Sequence, residues 1–414
     1  MKFLKVKIVL ILIALVSFLF FFDDYDIIYV EKTAIITAVA IDYNDEKETD
    51  EYTVTAQIAV PEANDTNTES TRTELSGKGG TIGAAIKQIG DLSGWYPHLS
   101  FCNLIILGKD MCKTNVIKTL DYFTKTLRLQ DSAMVILSET SAKELLETTT
   151  PLDKISSFAI QKILFKNKGF DADVASVDVK DFCLQYYDVG SSSFMPIVGA
   201  KSQFTEETGQ SGGSGGGQGA ETAGSEGGQG GGSNEESARE KKVFHANVTA
   251  LFKEGRKVGE LSPEETLVFN AMRQDVTGTT LELTNVKVGL NKPQNYLITV
   301  IKNKCASKVC ASENGILFDV QMKFYCKISD RNAEASDSSF SKNVPLPKEV
   351  EKATEALIQK AMNGLIETQI QTNCDFLRIE RELFRKHNDY YARYKDNYLS
   401  LLKTNVEVTV SGQK

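Results

Sequence analysis

The run IVLILIALVSFLFFF, Ile8 to Phe22, decides where everything after it must fold. Lys2, Lys5 and Lys7 precede it, and Asp23, Asp24 and Asp26 follow it. As a helix it covers about 22 Å at about 1.5 Å per residue, short of the ~30 Å hydrocarbon core of a bilayer. Length alone therefore fits the apolar core of a cleaved signal peptide. The flank fits the opposite reading, because such a signal needs small residues after its core, and here Phe20, Phe21 and Phe22 run straight into Asp23 and Asp24. Lysines reaching for headgroups and slight thinning of the bilayer make up the missing length. Residues 1–29 are therefore read as an uncleaved anchor, with a cleaved signal and a buried core helix as the alternatives. Basic residues before the segment and acidic ones after it leave the amino terminus in the cytoplasm and the rest outside.

The remainder of the 414 residues reads as ordinary soluble protein, enough for two or three domains, since the chain is 41% hydrophobic and 25% charged. No second stretch is long and apolar enough to span. The net charge of -8 carries no basic stripe, which argues against nucleic acid as a partner. Seven cysteines, Cys102, Cys112, Cys183, Cys305, Cys310, Cys326 and Cys374, form no CxxC pair. They are neither a disulfide framework nor a zinc ribbon, and read as small thiols in or near the core. Cys305 and Cys310 are close enough in sequence to bridge across a loop, and that question stays open.

The pattern predicts an α+β architecture of mixed sheet-and-helix modules behind the leader. In the first, residues 30–200, Thr33–Tyr43 and Glu51–Val60 read as a β-hairpin. A Thr-rich connection and SGKGG then lead into a helix with Ile82, Ala85, Ile86 and Ile89 on one face. Gly77, Lys78, Gly79, Gly80 and Thr81 resemble a fragment of a phosphate-binding loop. The Gly-Lys-Ser/Thr ending that such a loop requires is missing, so they read as a tight helix start. Further expected elements are a strand at Leu99–Leu107 and a helix after Asp110 with Ile117, Leu120, Phe123 and Leu127 on one face. A strand at Ala133–Leu137 and helices at Ser141–Glu147, Leu152–Phe165 and Asp178–Tyr187 follow. Strands alternating with helices suggest a layered sheet covered by helices.

Residues 201–240 read as a linker, because Gly209–Ser233 holds nothing large enough to pack a core. Such a coil spans about 25–30 Å, so the modules it joins need not move together. In the second module, residues 241–414, a strand at Lys242–Phe252 is followed by Ser262-Pro263-Glu264-Glu265, a capping-box helix start. Runs at Thr279–Val288, Asn295–Lys304 and Gly315–Ile328 suit an antiparallel sheet with one wet face. A long amphipathic helix over Lys348–Asn373 places Val350, Ala353, Leu357, Ala361 and Leu365 on one stripe. Tyr390, Tyr391, Tyr394 and Tyr398 belong to a second helical stretch and read as core packing, with an aromatic binding face as the alternative. Asn405–Val410 is a last strand.

No grouping carries chemistry. His98, His245 and His387 stand far apart, and GxSxG, HExxH and a complete P-loop are all missing. No catalytic, cofactor-binding or metal-ligating residue is named, and no cofactor is expected.

The order of segments nevertheless resembles a known family. KTAIITAVAIDY, GGTIGAAIKQIG, LSFCNLIILG, LDYFTKTLRLQDSAMVIL and SAKELLE are similar to the amino-terminal half of the Ger(x)C, or GerAC-type, spore germination proteins. ANVTALFKEGRKVGELSPEET and the stretch from CDFLRIERELF to the end resemble the carboxyl half. The resemblance implies a C subunit of a nutrient germinant receptor, acting without enzymatic activity beside A- and B-type integral membrane subunits. It implies the spore inner membrane, with the bulk of the chain on the outer, extracytoplasmic face. Relatives are usually anchored through a lipid-modified cysteine at the end of the signal. Here the first cysteine is Cys102, so an uncleaved helix would replace the lipid. The glycines typical after the aspartate near the end are replaced by Phe376, Leu377 and Ile379, and tyrosines stand where relatives often have tryptophan. A second function class, an extracytoplasmic solute-binding or sensing protein acting alone, would take up a small ligand without partners. An envelope hydrolase is a third.

Overall fold

The computed structural model describes residues 7, 10–17, 33–44, 51–59, 72–125, 129–151, 153, 155–167, 172–202, 242–289, 292–332 and 346–412. Of the leader, residues 10–17 are helical and every side chain among them is exposed. The other positions of Ile8–Phe22 lie outside the described residues. Among the described residues no helix is long and apolar enough to cross a membrane. The glycine-rich Gly209–Ser233 and Leu127 also lie outside them.

The first sheet begins with the expected hairpin. β1 (Thr33–Asn44) and β2 (Glu51–Ala59) pair antiparallel, and Tyr43 faces Tyr52 with ring centroids 5.4 Å apart. The next element differs from the sequence reading. Arg72–Gly79 forms an edge strand, β3, paired with β2 along its length, so Gly77 and Lys78 belong to a strand and not to a loop at a helix start. The glycines are there for close approach. A Cβ on Gly77 would sit 2.2 Å from the carbonyl oxygen of Ala85, and one on Gly79 2.8 Å from the Ala85 amide. Only glycine lets helix α1 (Ile82–Ser93) lie directly on the strand. Thr81 caps that helix by accepting from the Ala84 amide at 3.2 Å, and Ile82, Ala85, Ile86 and Ile89 are buried as expected.

A short strand, β4 (Tyr96–His98), and then β5 (Leu104–Leu107) both run parallel to β1. Of the expected strand over Leu99–Leu107 only Leu104–Leu107 forms, after a turn in which Cys102 donates its amide to the Leu99 carbonyl. A 3₁₀ turn at Lys109–Lys113 and helix α2 (Val116–Lys125) lead to β6 (Met134–Ser138), α3 (Ala142–Glu147), α4 (Ser156–Asn167) and α5 (Val179–Tyr187). β5 and β6 are buried on both faces. Ile105 and Leu107 pack with α1, α2 and α5, whereas Leu104 and Ile106 pack with Leu145 and Leu146 of α3 and Ile160 and Leu164 of α4. Helices on both sides explain why these parallel strands are continuously apolar. Each such side chain contributes about 1.5–3 kcal/mol on burial.

The sheet then continues across the glycine-rich stretch. β7 (Ser192–Ser202) precedes it and β8 (Lys242–Lys253) follows it, and the two pair antiparallel from Ser192 opposite Lys253 to Ser202 opposite Lys242. β9 (Arg256–Leu261) pairs with β8, giving nine strands in the order β3-β2-β1-β5-β6-β7-β8-β9, with β4 beside β1. The stretch therefore leaves and rejoins one sheet between hydrogen-bonded neighbours, where the sequence suggested a tether between modules moving apart. Composition identifies such a stretch but says nothing of which strands flank it.

Helix α6 (Pro263–Arg273) starts at the expected capping box. Ser262 accepts from the Glu265 amide at 3.3 Å, and Glu265 accepts from the Ser262 amide at 2.9 Å. The helix lies between the two sheets. Buried Asn270 donates to the carbonyls of Ala172 and Val174, both at 3.0 Å. Buried Asn303 of the second sheet donates to the Ala271 carbonyl at 2.7 Å and accepts from the Val276 amide at 2.6 Å. These fully paired amides fix the register of the helix on both sides.

The second sheet has the order β10-β11-β12-β13, formed by Thr280–Val286, Gln294–Ser312, Gly315–Arg331 and Leu402–Gly412. Alternation in β12 buries Ile316, Phe318, Val320, Met322, Phe324 and Cys326 on one face. That face meets α7 (Lys348–Thr372) through Val350, Ile358, Met362 and Leu365, and the other is wet, as read. The three runs pair antiparallel as read. The last strand, β13, runs parallel to β12, because the helices between them return the chain to the end of the sheet where β12 begins. One correction follows: β11 extends through Ser312, past the expected end at Lys304. Cys305 and Cys310 thus share one strand an odd number of residues apart and point to opposite faces, about 17 Å apart at about 3.4 Å per residue. They cannot bridge, and all seven cysteines are free thiols.

A buried carboxylate joins the two sheets

α7 ends at Asn373, in the left-handed region at φ 52°, and the chain drops into the seam between the sheets. Cys374 donates its thiol to the Phe252 carbonyl of β8 at 3.2 Å, and burial pushes that thiol up to about 11. Asp375, 3% exposed, donates its amide to Ser192 Oγ of β7 at 2.7 Å. Ser192 in turn donates to the Gly190 carbonyl at 2.7 Å, which also accepts from Lys253 Nζ at 2.6 Å. One segment of the second module is thereby bolted to two strands of the first sheet.

The Asp375 carboxylate looks the other way. Oδ1 accepts from Gln369 Nε2 and from the Glu380 amide, both at 3.1 Å, and Oδ2 accepts from the Arg381 amide at 3.2 Å. It therefore caps helix α8 (Ile379–Lys386), whose free amides and dipole favour a negative charge there. Burial works against that charge more strongly, and Glu380 adds a like charge, so the carboxyl is raised to about 7. Gly190, at φ 86°, leaves room for it, since a Cβ there would lie 3.0 Å from both Asp375 Cβ and Glu380 Oε2. Arg381 Nε pairs with Asp188 Oδ2 at 2.7 Å outside the seam.

Above this seam the aromatic rings of Phe194, Phe269 and Phe376 stack edge-on, with centroids 5.1 and 5.6 Å apart in succession. Arg273 lays its guanidinium over Phe194 at 4.4 Å and Phe269 at 5.1 Å. It opens into a cleft of about 460 Å³ whose lining includes Lys308, Val309, Phe318, Arg378 and Lys386. Although the end of Arg273 reaches solvent, crowding by protein and the like charge of Arg378 lower its pKa to about 10. Among the described residues neither Arg273 nor Arg378 has an ion-pair partner. Glu382 also lines the cleft and pairs with Lys386 there.

The residues singled out in the sequence do not converge on it. His98 lies in β4, His245 Nε2 meets Glu139 Oε1 at 3.1 Å beside β8, and His387 Nε2 meets the Val309 carbonyl at 3.0 Å near the cleft rim. Of the tyrosines, Tyr398 is buried. Tyr390, Tyr391 and Tyr394, on helix α9 (Asn388–Tyr394), are partly buried and pack against the core, with Tyr390 and Tyr394 stacked 6.1 Å apart. Among the described residues no group of three or more His, Cys, Asp or Glu could hold a metal ion. Asp375 is the group with a functional-looking pKa, but its oxygens are taken by backbone amides and Gln369, so it is built for joining and not for proton transfer. The sequence signal for it is an aspartate between a buried cysteine and an apolar pair, ahead of a charged short helix.

Residues 26–200 match the spore germination protein N-terminal domain, and residues 247–413 match the spore germination B3/GerAC-like C-terminal domain. The chain belongs to the GerAC-type family of spore germination proteins. Among solved structures it is similar to that of the GerBC protein, at 13% identity and a TM-score of 0.45, over 92% of this chain and 99% of that one. No curated protein matches it.

Proposed function

We propose that this protein is a non-enzymatic, membrane-anchored C-type subunit of a spore nutrient germinant receptor. It acts with A- and B-type integral membrane subunits from the outer face of the spore inner membrane. The observation that carries this reading is the match of both family domains, in order, over nearly all of the chain beyond the leader. The anchor is supported by residues 10–17, a helix whose Leu10, Ile11, Leu12, Ile13 and Leu15 are each more than half exposed. A structural rather than catalytic role is supported by the seam, where the carboxylate raised furthest among the described residues is used as a helix cap. The cleft at Arg273 and Arg378 offers an acidic side chain of a partner subunit two guanidiniums that lack one. Deleting the gene, in a strain without a paralogue, is expected to abolish nutrient-triggered germination and leave nutrient-independent germination intact. Normal nutrient response in that strain would rule the proposal out.

A further inference from the structure

Three large apolar side chains stand in water where the first sheet receives the chain from its leader. Leu92 is 66% exposed, Trp95 43% and Tyr96 50%. α1 stops at Gly94, left-handed at φ 70°, where a Cβ would meet nothing within 4 Å, so the tip of the turn faces open space. β4 then runs parallel to the start of β1, with Tyr96 opposite Thr33 and His98 opposite Ile35. In a parallel pair, the residues before Tyr96 and the residues before Thr33 arrive at the same end. β5 joins β1 only from Ala38, so this end projects about 17 Å beyond the parallel core, at about 3.3 Å per residue.

Asp23 to Lys32 separate Phe22 from Thr33. Even fully extended, those ten residues reach at most about 35 Å. With Phe22 at a membrane surface, this tether keeps the end of the sheet that carries Trp95 within about 35 Å of it. We infer that Leu92, Trp95 and Tyr96 form a lipid-contacting face that dips into the headgroup layer of the same bilayer and sets how the body stands on it. The inference rests on the reading of the leader as an anchor. Tryptophan and tyrosine favour this layer because each has an apolar ring and a polar tip. Three side chains fall far short of the roughly 20–30 residues that a stable protein interface uses on each side, but they suffice to orient a body already tethered. The neighbouring charges, Lys87 and Asp91, pair with each other at 3.2 Å, so the contact is apolar and not electrostatic.

Trp95 is the sole tryptophan of the chain, so its emission reports on this face alone. The experiment uses the full chain in phosphatidylcholine vesicles containing lipids brominated at shallow or deep acyl positions. The expected result is blue-shifted emission, about half of it quenched by the shallow label and little by the deep one. Protection from iodide is expected to be unchanged by added salt. Leu92→Ser with Tyr96→Ser, both at exposed positions, is expected to reduce the shallow quenching while the chain still floats with the vesicles. Trp95 that stays open to iodide and blind to brominated lipid, in chains that do float, overturns the lipid contact and leaves the anchor standing. Protection that arises only when A- and B-type subunits are added also overturns it, in favour of a protein occupant. A chain that fails to float overturns the anchor and the inference together.

Discussion

Replacing Asp375 by asparagine tests the seam through its dependence on pH. In the folded protein burial holds this carboxyl near 7, whereas an unfolded aspartate titrates near 4. The folded state therefore binds a proton that the unfolded state has lost throughout that window. The stabilisation is fully present below about pH 4 and disappears as the pH rises through about 7. Each pH unit within the window is worth about 1.4 kcal/mol, so the wild type should lose about 2–3 kcal/mol of stability between pH 5 and pH 8 from this group alone. Asp375→Asn keeps one acceptor oxygen for Gln369 and the Glu380 amide, and gives up the bond from the Arg381 amide. It should be less stable at pH 5 by about 1–3 kcal/mol, the cost of an unsatisfied buried donor. Its stability should then fall less steeply with pH than that of the wild type. Urea unfolding of the full chain in mild detergent, followed by circular dichroism at the two pH values, measures both. Parallel losses in the two proteins would refute the assignment of a raised pKa to Asp375.

Two other perturbations address the backbone. Gly77→Val should destabilise by about 1–3 kcal/mol or more, because its Cβ would fall 2.2 Å from Ala85 O and force α1 off the sheet. A thermal melt unchanged by the substitution would show that β3 does not lie under the helix. Arg378 occupies the left-handed region at φ 59°, so Arg378→Gly should raise stability by about 0.5–1 kcal/mol in the same melt. A drop would mean that its side chain holds the seam together.

Much of the fold was legible because local rules and tertiary packing agree there. The β1–β2 hairpin, the apolar face of α1, the capping box at Ser262 and the alternation of β12 each follow from a pattern a few residues long. The misreadings fall where a distant neighbour decides. RTELSGKG looks like a loop until β2 supplies its hydrogen bonds and α1 explains its glycines. The polar second half of β11 is a strand because β12 pairs with it as far as Ser312 opposite Gly315. The glycine-rich stretch suggested a joint between modules, yet Ser202 and Lys242 are paired neighbours in one sheet.

The seam was least legible of all. The sequence drew attention to Phe376, Leu377 and Ile379 as departures from glycine. The residue that uses glycine-like backbone is Arg378, and the one that joins the sheets is Asp375. The short local signal at Asp375 does not reveal its role, because its amide partner, Ser192, lies more than a hundred residues earlier.

Taken together, the shared core and the seam make the two sheets one body, with the cleft at Arg273 and the Trp95 end on its surface. The most direct test is to purify the tagged chain from spore inner membranes in mild detergent and measure the intact masses in the complex. The account predicts a chain that retains Ile8–Phe22 and carries one A-type and one B-type subunit with it. A chain that begins beyond Asp24, or one recovered from the membrane without those subunits, would contradict it.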